Sequence, residues 1–293
     1  MTKKNSFSQR HPFIFGVGIL IVAVVLVMGT TALLRKTLFD GGMVTGDKLG
    51  VVHVKGMILD SRPITEWMRN LRENDEVLGV LIRIDSPGGA VAPSQEIYSG
   101  VKRLAGVKPV VASMASLGAS GGYYVAASAH KIVANPATIT GSIGVKMELS
   151  NVEDLMEKIG ITRNSLVSGD YKDAGSPFKP MTPEEREYLK GVVMDLHRQF
   201  VTDVAEGRKM EREKVLELAD GRIFTGREAH EKGLVDELGD LERSFELLKE
   251  MCKIKEQVPV IEGPEEEKSF LMELLGFESL KSEINSRGLK FIF

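Results

Sequence analysis

Position 120 is a serine set among glycines, in Gly118-Ala119-Ser120-Gly121-Gly122, directly before the apolar run 123–129. That run reads as a buried helix, so the serine oxygen stands at a helix start, where unpaired N–H groups favour negative charge. The Gly121 N–H is aimed at any oxyanion forming beside that oxygen, and flanking glycines let another backbone come close. A serine nucleophile needs this arrangement. The same residues also fit a glycine-rich turn with an incidental serine.

A serine hydroxyl is a poor nucleophile until a base removes its proton. The chain has five histidines: His11, His53, His130, His197 and His230. His11 precedes a long apolar segment, His53 sits in the first expected strand, and His197 falls mid-helix. His130 ends the helix that starts at Ser120, which places it ~15 Å away. His230 alone is positioned for a conventional triad. Lysine is the other candidate, because burial in an apolar setting lowers an amine's pKa from ~10.4 and leaves it neutral. Lys172 lies in Ser168-Gly169-Asp170-Tyr171-Lys172-Asp173-Ala174-Gly175. By itself this is a polar surface loop, and nothing in its composition selects Lys172.

The elements that must position these residues alternate. Residues 49–54, 77–84, 109–114 and 131–134 are short apolar runs that predict strands. Between them, 64–73 carries Ile64, Trp67, Met68 and Leu71 at helical spacing, and 91–104 and 123–129 read as helices. This order predicts an α/β domain with mostly parallel strands. Beyond Val145 the pattern predicts a helix over 152–159, a strand over 162–167 and a loop over 168–180. Thr182-Pro183-Glu184-Glu185 gives an N-cap, a proline at the first helical position and acids in the first turn. A long helix to about 207 follows, then helices from 211, over 225–232 and over 241–251. In the tail, 265–276 has an amphipathic helical pattern, and 288–293 is apolar and needs cover.

Residues 13–34 are 22 consecutive uncharged positions. As a helix they span ~33 Å, enough for a hydrocarbon core of ~30 Å. A cleaved signal peptide has a shorter apolar core and a small-residue cleavage site; Thr30-Thr31-Ala32 is a weak one, and Leu33-Leu34 extend the run. An uncleaved anchor is therefore expected at 13–34, with residues 1–12 cytoplasmic, a linker over 35–47, a catalytic domain over 48–255 and a tail over 256–293. Lys3, Lys4 and Arg10 before the span give the positive-inside bias that places the remainder on the extracytoplasmic side of a single-pass membrane protein. Residues 37–293 hold 33 basic and 41 acidic side chains, a net of −8, which argues against nucleic acid as a partner. The single cysteine, Cys252, rules out an intramolecular disulfide and a cysteine-based zinc site within one chain.

Four motifs occur in order: Asp85-Ser86-Pro87-Gly88-Gly89, Ala119-Ser120-Gly121-Gly122-Tyr123-Tyr124, Thr140-Gly141-Ser142-Ile143-Gly144 and Ser168-Gly169-x-x-Lys172. Ala219-Asp220-Gly221-Arg222 through Gly226, and Gly233-Leu234-Val235-Asp236, extend the match. Over about 48–250 the chain resembles the signal peptide peptidase A (protease IV) family, in its short form with one catalytic segment. The resemblance implies a crotonase-like spiral fold, shared with the caseinolytic protease, and a Ser/Lys dyad. On matching positions it implies Ser120 as nucleophile, Lys172 as general base, Ser142 as the serine that orients the lysine amine, and the N–H groups of Gly89 and Gly121 as the oxyanion hole. It implies no cofactor and no metal, apolar peptides such as cleaved signal peptides as substrates, and a homo-oligomer whose active centres can draw serine and lysine from neighbouring subunits. The related caseinolytic protease has a base histidine where this chain has Val145.

Two other readings stand beside this one. Gly118-x-Ser120-x-Gly122 fits the nucleophile elbow of an α/β-hydrolase esterase, with His230 as the base. A non-catalytic oligomeric membrane scaffold would keep the fold and lose the chemistry. Tyr123 and Tyr124 read as packing residues.

Overall fold

The computed structural model describes residues 12–38 and 46–264, with side chains at 12, 14 and 31–38 left out. The chain divides into two units, 1–46 and 47–293. The first contains helix α1, Pro12–Leu38, in which residues 15–30 carry no charge and are all exposed. Among the described residues no helix is long and apolar enough to cross a membrane; the fully described part of α1 is 15–30. The expected linker falls mostly outside the described residues, as do His11, the 265–276 pattern and the apolar end at 288–293.

The second unit is an α/β structure around an eight-stranded sheet. Its first half alternates β1 (Lys48–Lys55), α2 (Arg62–Glu73), β2 (Val77–Ser86), α3 (Val91–Ala105), β3 (Val110–Ala119), α4 (Gly121–Ala127) and β4 (Lys131–Ala134). Then come β5 (Ile139–Gly141), α5 (Glu153–Lys158), α6 (Pro183–Arg208), α7 (Arg212–Leu218), β6 (Ile223–Thr225), α8 (Gly226–Glu231), β7 (Glu237–Leu238), α9 (Leu241–Cys252) and β8 (Val260–Gly263). All strand pairs are parallel except β5 with β6.

Side-chain alternation along the strands divides the core in two. Val52, Val54, Val80, Ile82, Ile84, Ala112 and Ile132 face the larger core with α2, α3, α4 and α6. Leu49, Val51, Leu81, Val111 and Val133 face Leu248 of α9. Burial on both faces explains why β2 reads as a continuous apolar run. Trp67 belongs to the packing, as its spacing suggests, and its indole N–H donates to the Val51 carbonyl at 2.8 Å.

Strand β3 runs to Ala119, beyond the expected end at 114, and divides its partners. Residues 111–114 pair with β4 and 117–119 pair with β5. The Gly/Ser-rich second half reads as loop, yet β5 supplies its ladder. The Thr140 hydroxyl donates to the Gly118 carbonyl (2.6 Å) and the Thr138 hydroxyl to the Ala115 carbonyl (2.6 Å). The strand expected over 162–167 is absent. Leu166 there is fully exposed, and a strand without a neighbour leaves its backbone groups unpaired. At the other end, β8 pairs with residues 49–52 of β1, so the first part of the expected tail adds an edge strand to the domain.

Thr182 caps α6 as its sequence announces: its hydroxyl accepts from the Glu185 N–H (3.2 Å), and the Glu185 carboxylate accepts from the Thr182 N–H (3.0 Å). The last turn of the same helix presents Arg208, 6% exposed, to Asp236 at 2.7 Å. Asp236 also accepts the Ile132 N–H at 2.8 Å, which joins α6 to β4. Removing one member of such a pair strands the other as a buried charge. Asp236→Ala is expected to lower unfolding free energy by about 3 kcal/mol in urea titrations, and adding Arg208→Met is expected to recover part of the loss.

Candidate active site

The end of β2 and its loop form one wall. Asp85 lies at the register shift between β2 and β3, where its carboxylate accepts the Leu117 N–H at 3.1 Å. Ser86 is fully buried; its hydroxyl donates to the Gly56 carbonyl (2.6 Å) and accepts the Gly88 N–H (3.1 Å). Ile58 then pairs with the loop. Its N–H donates to the Gly88 carbonyl at 2.9 Å, and its carbonyl accepts the Ala90 N–H at 2.8 Å. In such a parallel bridge the intervening N–H, that of Gly89, points to the other side of its chain. A Cβ on Gly89 would sit 2.1 Å from the Ile58 carbonyl oxygen, so only glycine permits the bridge.

Ser120 connects β3 to α4 with φ 52° and ψ −120°, outside the conformations L-residues ordinarily adopt. A residue held there costs about 1–3 kcal/mol and stays only where its surroundings fix it. Here the Ser120 N–H donates to the Gly141 carbonyl (2.8 Å), and the Ser120 carbonyl accepts the Tyr124 N–H (2.9 Å). The loop 86–89 packs directly on this turn: a Cβ on Gly88 would lie 2.5 Å from the Gly121 nitrogen and 2.8 Å from the Ser120 Cβ. On Gly121 it would lie 2.4 Å from the Ser94 hydroxyl, and on Gly122 2.8 Å from the Ser86 carbonyl oxygen. The Gly121 N–H, first in α4, has no backbone acceptor among the described residues, and neither has that of Gly89. Ser120 is thus brought together with Gly89 and Gly121.

Ser142 is beside them. Ala119 pairs with Gly141 in the β3–β5 register, so Ser142 follows directly on the residue that holds the Ser120 N–H. Ser142 also has positive φ, 51°. Its N–H donates to the Arg222 carbonyl at 2.8 Å. Asp220, whose carboxyl the Arg222 guanidinium pulls down to about 2, fixes Arg222 in a paired contact at 2.8 Å. The segment 219–222 therefore braces the Ser142 turn, a role that its sequence does not reveal. Among described non-glycine residues only Lys209 and Lys253 share positive φ with these two serines, and both are helix C-caps.

Lys172 stands apart. It lies exposed in a turn, its N–H donating to the Gly169 carbonyl at 3.0 Å, and no hydrogen bond joins it to Ser120 or Ser142. The described histidines are all engaged elsewhere. His53 contacts Glu262 (2.7 Å), His130 accepts the Val110 N–H (3.1 Å), His197 meets the Ala219 carbonyl (2.8 Å) and His230 the Val235 carbonyl (3.2 Å). Tyr123 and Tyr124 are packing residues, as expected. Burial pushes both hydroxyls' pKa up, Tyr123 donates to the Leu234 carbonyl (3.0 Å), and Tyr124 stacks on Phe200 at 4.3 Å. Sequence reading passed over Ser94 and Ile58. Nothing distinguishes Ser94, whereas Ile58 is the middle residue of the apolar triplet Met57-Ile58-Leu59 after the Gly56 turn.

The profile of peptidase family S49 matches residues 102–255, which hold Ser120, Ser142 and Lys172. A protein named as a candidate protease in Synechocystis is 39% identical over 248 residues, 84% of this chain and 89% of that protein. A protein named as a candidate signal peptide peptidase SppA in Enterococcus faecium is 34% identical over 88% of this chain and 80% of its own length. Protease 4 of Salmonella typhi is 33% identical over 72% of this chain, which spans 36% of that longer protein.

The close approach at Gly121 is directly testable. Gly121→Ala is expected to lose about 1–3 kcal/mol in chemical denaturation, and Ser94→Gly in that background to restore part of it by removing the obstructing hydroxyl.

Proposed function

The chain belongs to peptidase family S49 and is a serine peptidase, and on that premise we propose that Ser120 is its nucleophile and Lys172 its general base. The observation that carries this is the strained Ser120 turn, packed against loop 86–89, with the N–H groups of Gly89 and Gly121 left without backbone acceptors among the described residues. In the reaction, the Ser120 Oγ attacks the scissile carbonyl carbon while the Lys172 amine takes its proton. The tetrahedral oxyanion is received by the two N–H groups. The protonated amine then gives its proton to the leaving nitrogen, and the C–N bond breaks to leave an acyl-enzyme. Water, deprotonated by the same amine, attacks the ester and restores the serine. Ser142 accepts a hydrogen bond from the amine and orients it.

The lysine arrives by assembly. Lys172 is exposed on its own chain, and the segment around it carries exposed Leu149, Leu155, Ile159, Ile161 and Leu166, an apolar surface suited to another copy. We therefore read the active centre as completed between subunits of a homo-oligomer. The division of β3 between two sets of parallel partners supports the crotonase-like spiral as its architecture. The 22 uncharged residues 13–34 within helix α1 support a single-pass anchor with the catalytic domain outside.

Apolar peptides left in the membrane, such as cleaved signal peptides, suit this site as substrates. Met57 and Leu59, each about two-thirds exposed, flank Ile58 on the strand edge beside Gly89 and give the site an apolar wall. The esterase reading gains nothing from the geometry: the Ser120 elbow is present, but the His230 imidazole is bound to its own segment.

Ser120→Ala and Lys172→Met are each expected to lower peptide-cleavage kcat by roughly 10⁴-fold or more with the fold retained by circular dichroism. Mixing and reassembling the two inactive variants is expected to restore turnover; if Lys172→Met alone still turns over, the base is another group. Replacing Met57 and Leu59 together by serine is expected to raise KM for apolar peptides by roughly tenfold, with a smaller change for polar ones.

A further inference from the structure

We propose that the cleft between α2 and α3 is an anion site that takes a phosphate group, separate from the Ser120 centre. The cleft has a volume of about 290 Å³ and is lined by Thr65, Met68, Arg69, Arg72, Gly100 and Arg103. Three of these six residues are cationic and none is acidic, within a domain whose residues 37–293 carry net −8.

Helix geometry places the charges. Thr65, Arg69 and Arg72 stand at i, i+4 and i+7 on α2, one face of the helix. Gly100 and Arg103 stand at i and i+3 on α3 and face them. The helices approach closely because Gly100 has no side chain: a Cβ there would lie 2.5 Å from the Met68 methyl. Buried Met68 and Gly100 form the floor, and the arginines overhang it from both sides.

The cations are only partly balanced. Among the described residues Arg72 has a single ion pair, to Glu73 at 3.1 Å, and its side chain is one-third exposed. Neither Arg69 nor Arg103 enters an ion pair among the described residues. The neighbouring Lys102 is already neutralised by Glu206 at 2.6 Å. Glu96 is engaged by the Ser61 hydroxyl. Guanidinium groups facing one another across a cleft repel, and a tetrahedral oxyanion answers both their charge and their paired N–H donors. Arg72 and Arg103 also lie in the last turns of their helices, where a cation complements the helix dipole. Arg69 is not in a last turn, and the dipole needs no convergence of three arginines on one cleft.

The phosphate could belong to an anionic lipid headgroup or to a free phosphate compound; both offer the same chemistry. The test uses the full chain in neutral detergent micelles at constant ionic strength. Inorganic phosphate and dihexanoyl phosphatidylglycerol are titrated separately, with calorimetry and thermal melting as readouts. Saturable binding that raises Tm is expected for at least one probe, weakened roughly tenfold or more in Arg69→Gln/Arg103→Gln. Arg103→Lys, which keeps the charge but not the paired donors, is expected to fall between. Without ligand the double variant is expected to melt no lower than the parent, because repulsion has been relieved. Tighter binding of the lipid assigns the site to a headgroup, and equal or tighter binding of inorganic phosphate assigns it to a free phosphate. The proposal is overturned if neither probe saturates, or if Arg186→Gln/Lys190→Gln on α6 weakens binding as much as the cleft variant. A ligand-free loss of stability in the cleft variant with no change in binding would also overturn it, leaving only the dipole role.

Discussion

Three stretches of backbone meet at Ser120 with no side chain between them. Loop 86–89 lies against the start of α4, and the Gly141 carbonyl holds the Ser120 N–H from the third side. The serine's φ of 52° is unfavourable alone and is retained because these contacts leave it no alternative. The same contacts fix the two free N–H groups. If loop 86–89 retreats to admit a Cβ at Gly88 or Gly122, the Gly89 N–H retreats with it. Ser120 and the N–H groups of Gly89 and Gly121 therefore behave as one geometric unit.

The sheet makes room for this unit by splitting. For its first half β3 is an ordinary central strand between β2 and β4. For its second half it exchanges β4 for β5, and the register with β2 slips between Ile84 and Ser86. Such slips leave backbone groups without ladder partners, which is costly when they are buried. The nearby polar side chains supply those partners. Asp85 receives the Leu117 N–H, while Thr138 and Thr140 bind carbonyls of β3. Ser86 satisfies Gly56 and Gly88 at once. The motif residues that are not reactive serve chiefly to close the hydrogen bonding around the split.

Legibility in the sequence follows the range of the forces involved. The long elements were readable because their periodicity reflects burial: 64–73, 77–84, 91–104 and the capped helix from 183 all appear near their expected bounds. Strands β5, β6, β7 and β8 are two to four residues long and exist through their partners, so local pattern carried almost no sign of them. The strand expected over 162–167 failed for the converse reason, since β-favouring residues without an adjacent edge form no ladder. At the site, the serine and its glycines were legible because close backbone approach demands those residue types. The placing of Lys172 was not, because a loop's composition says nothing about what will cover it.

That loop is braced rather than slack, which bears on how a distant amine could serve the serine. Lys179 pairs with Asp173 (2.8 Å) and with Glu185 (2.6 Å), the carboxylate that also caps α6. Tyr171 packs on Tyr188 at 4.7 Å, Arg163 lies 4.1 Å over the Phe178 ring, and Leu149 approaches Gly175. The Lys172 turn is thus tied at several points to α6 and to the segment before it. The Lys179 ammonium holds the Glu185 carboxyl below its ordinary range, so this tie is complete above the ordinary carboxylate pKa and loosens only as pH falls through the lowered value. On the reading proposed above, a braced arm meets the entropic demand of catalysis between subunits. Ordering is completed within each chain, and docking need supply only desolvation of the amine and its final approach to the serine.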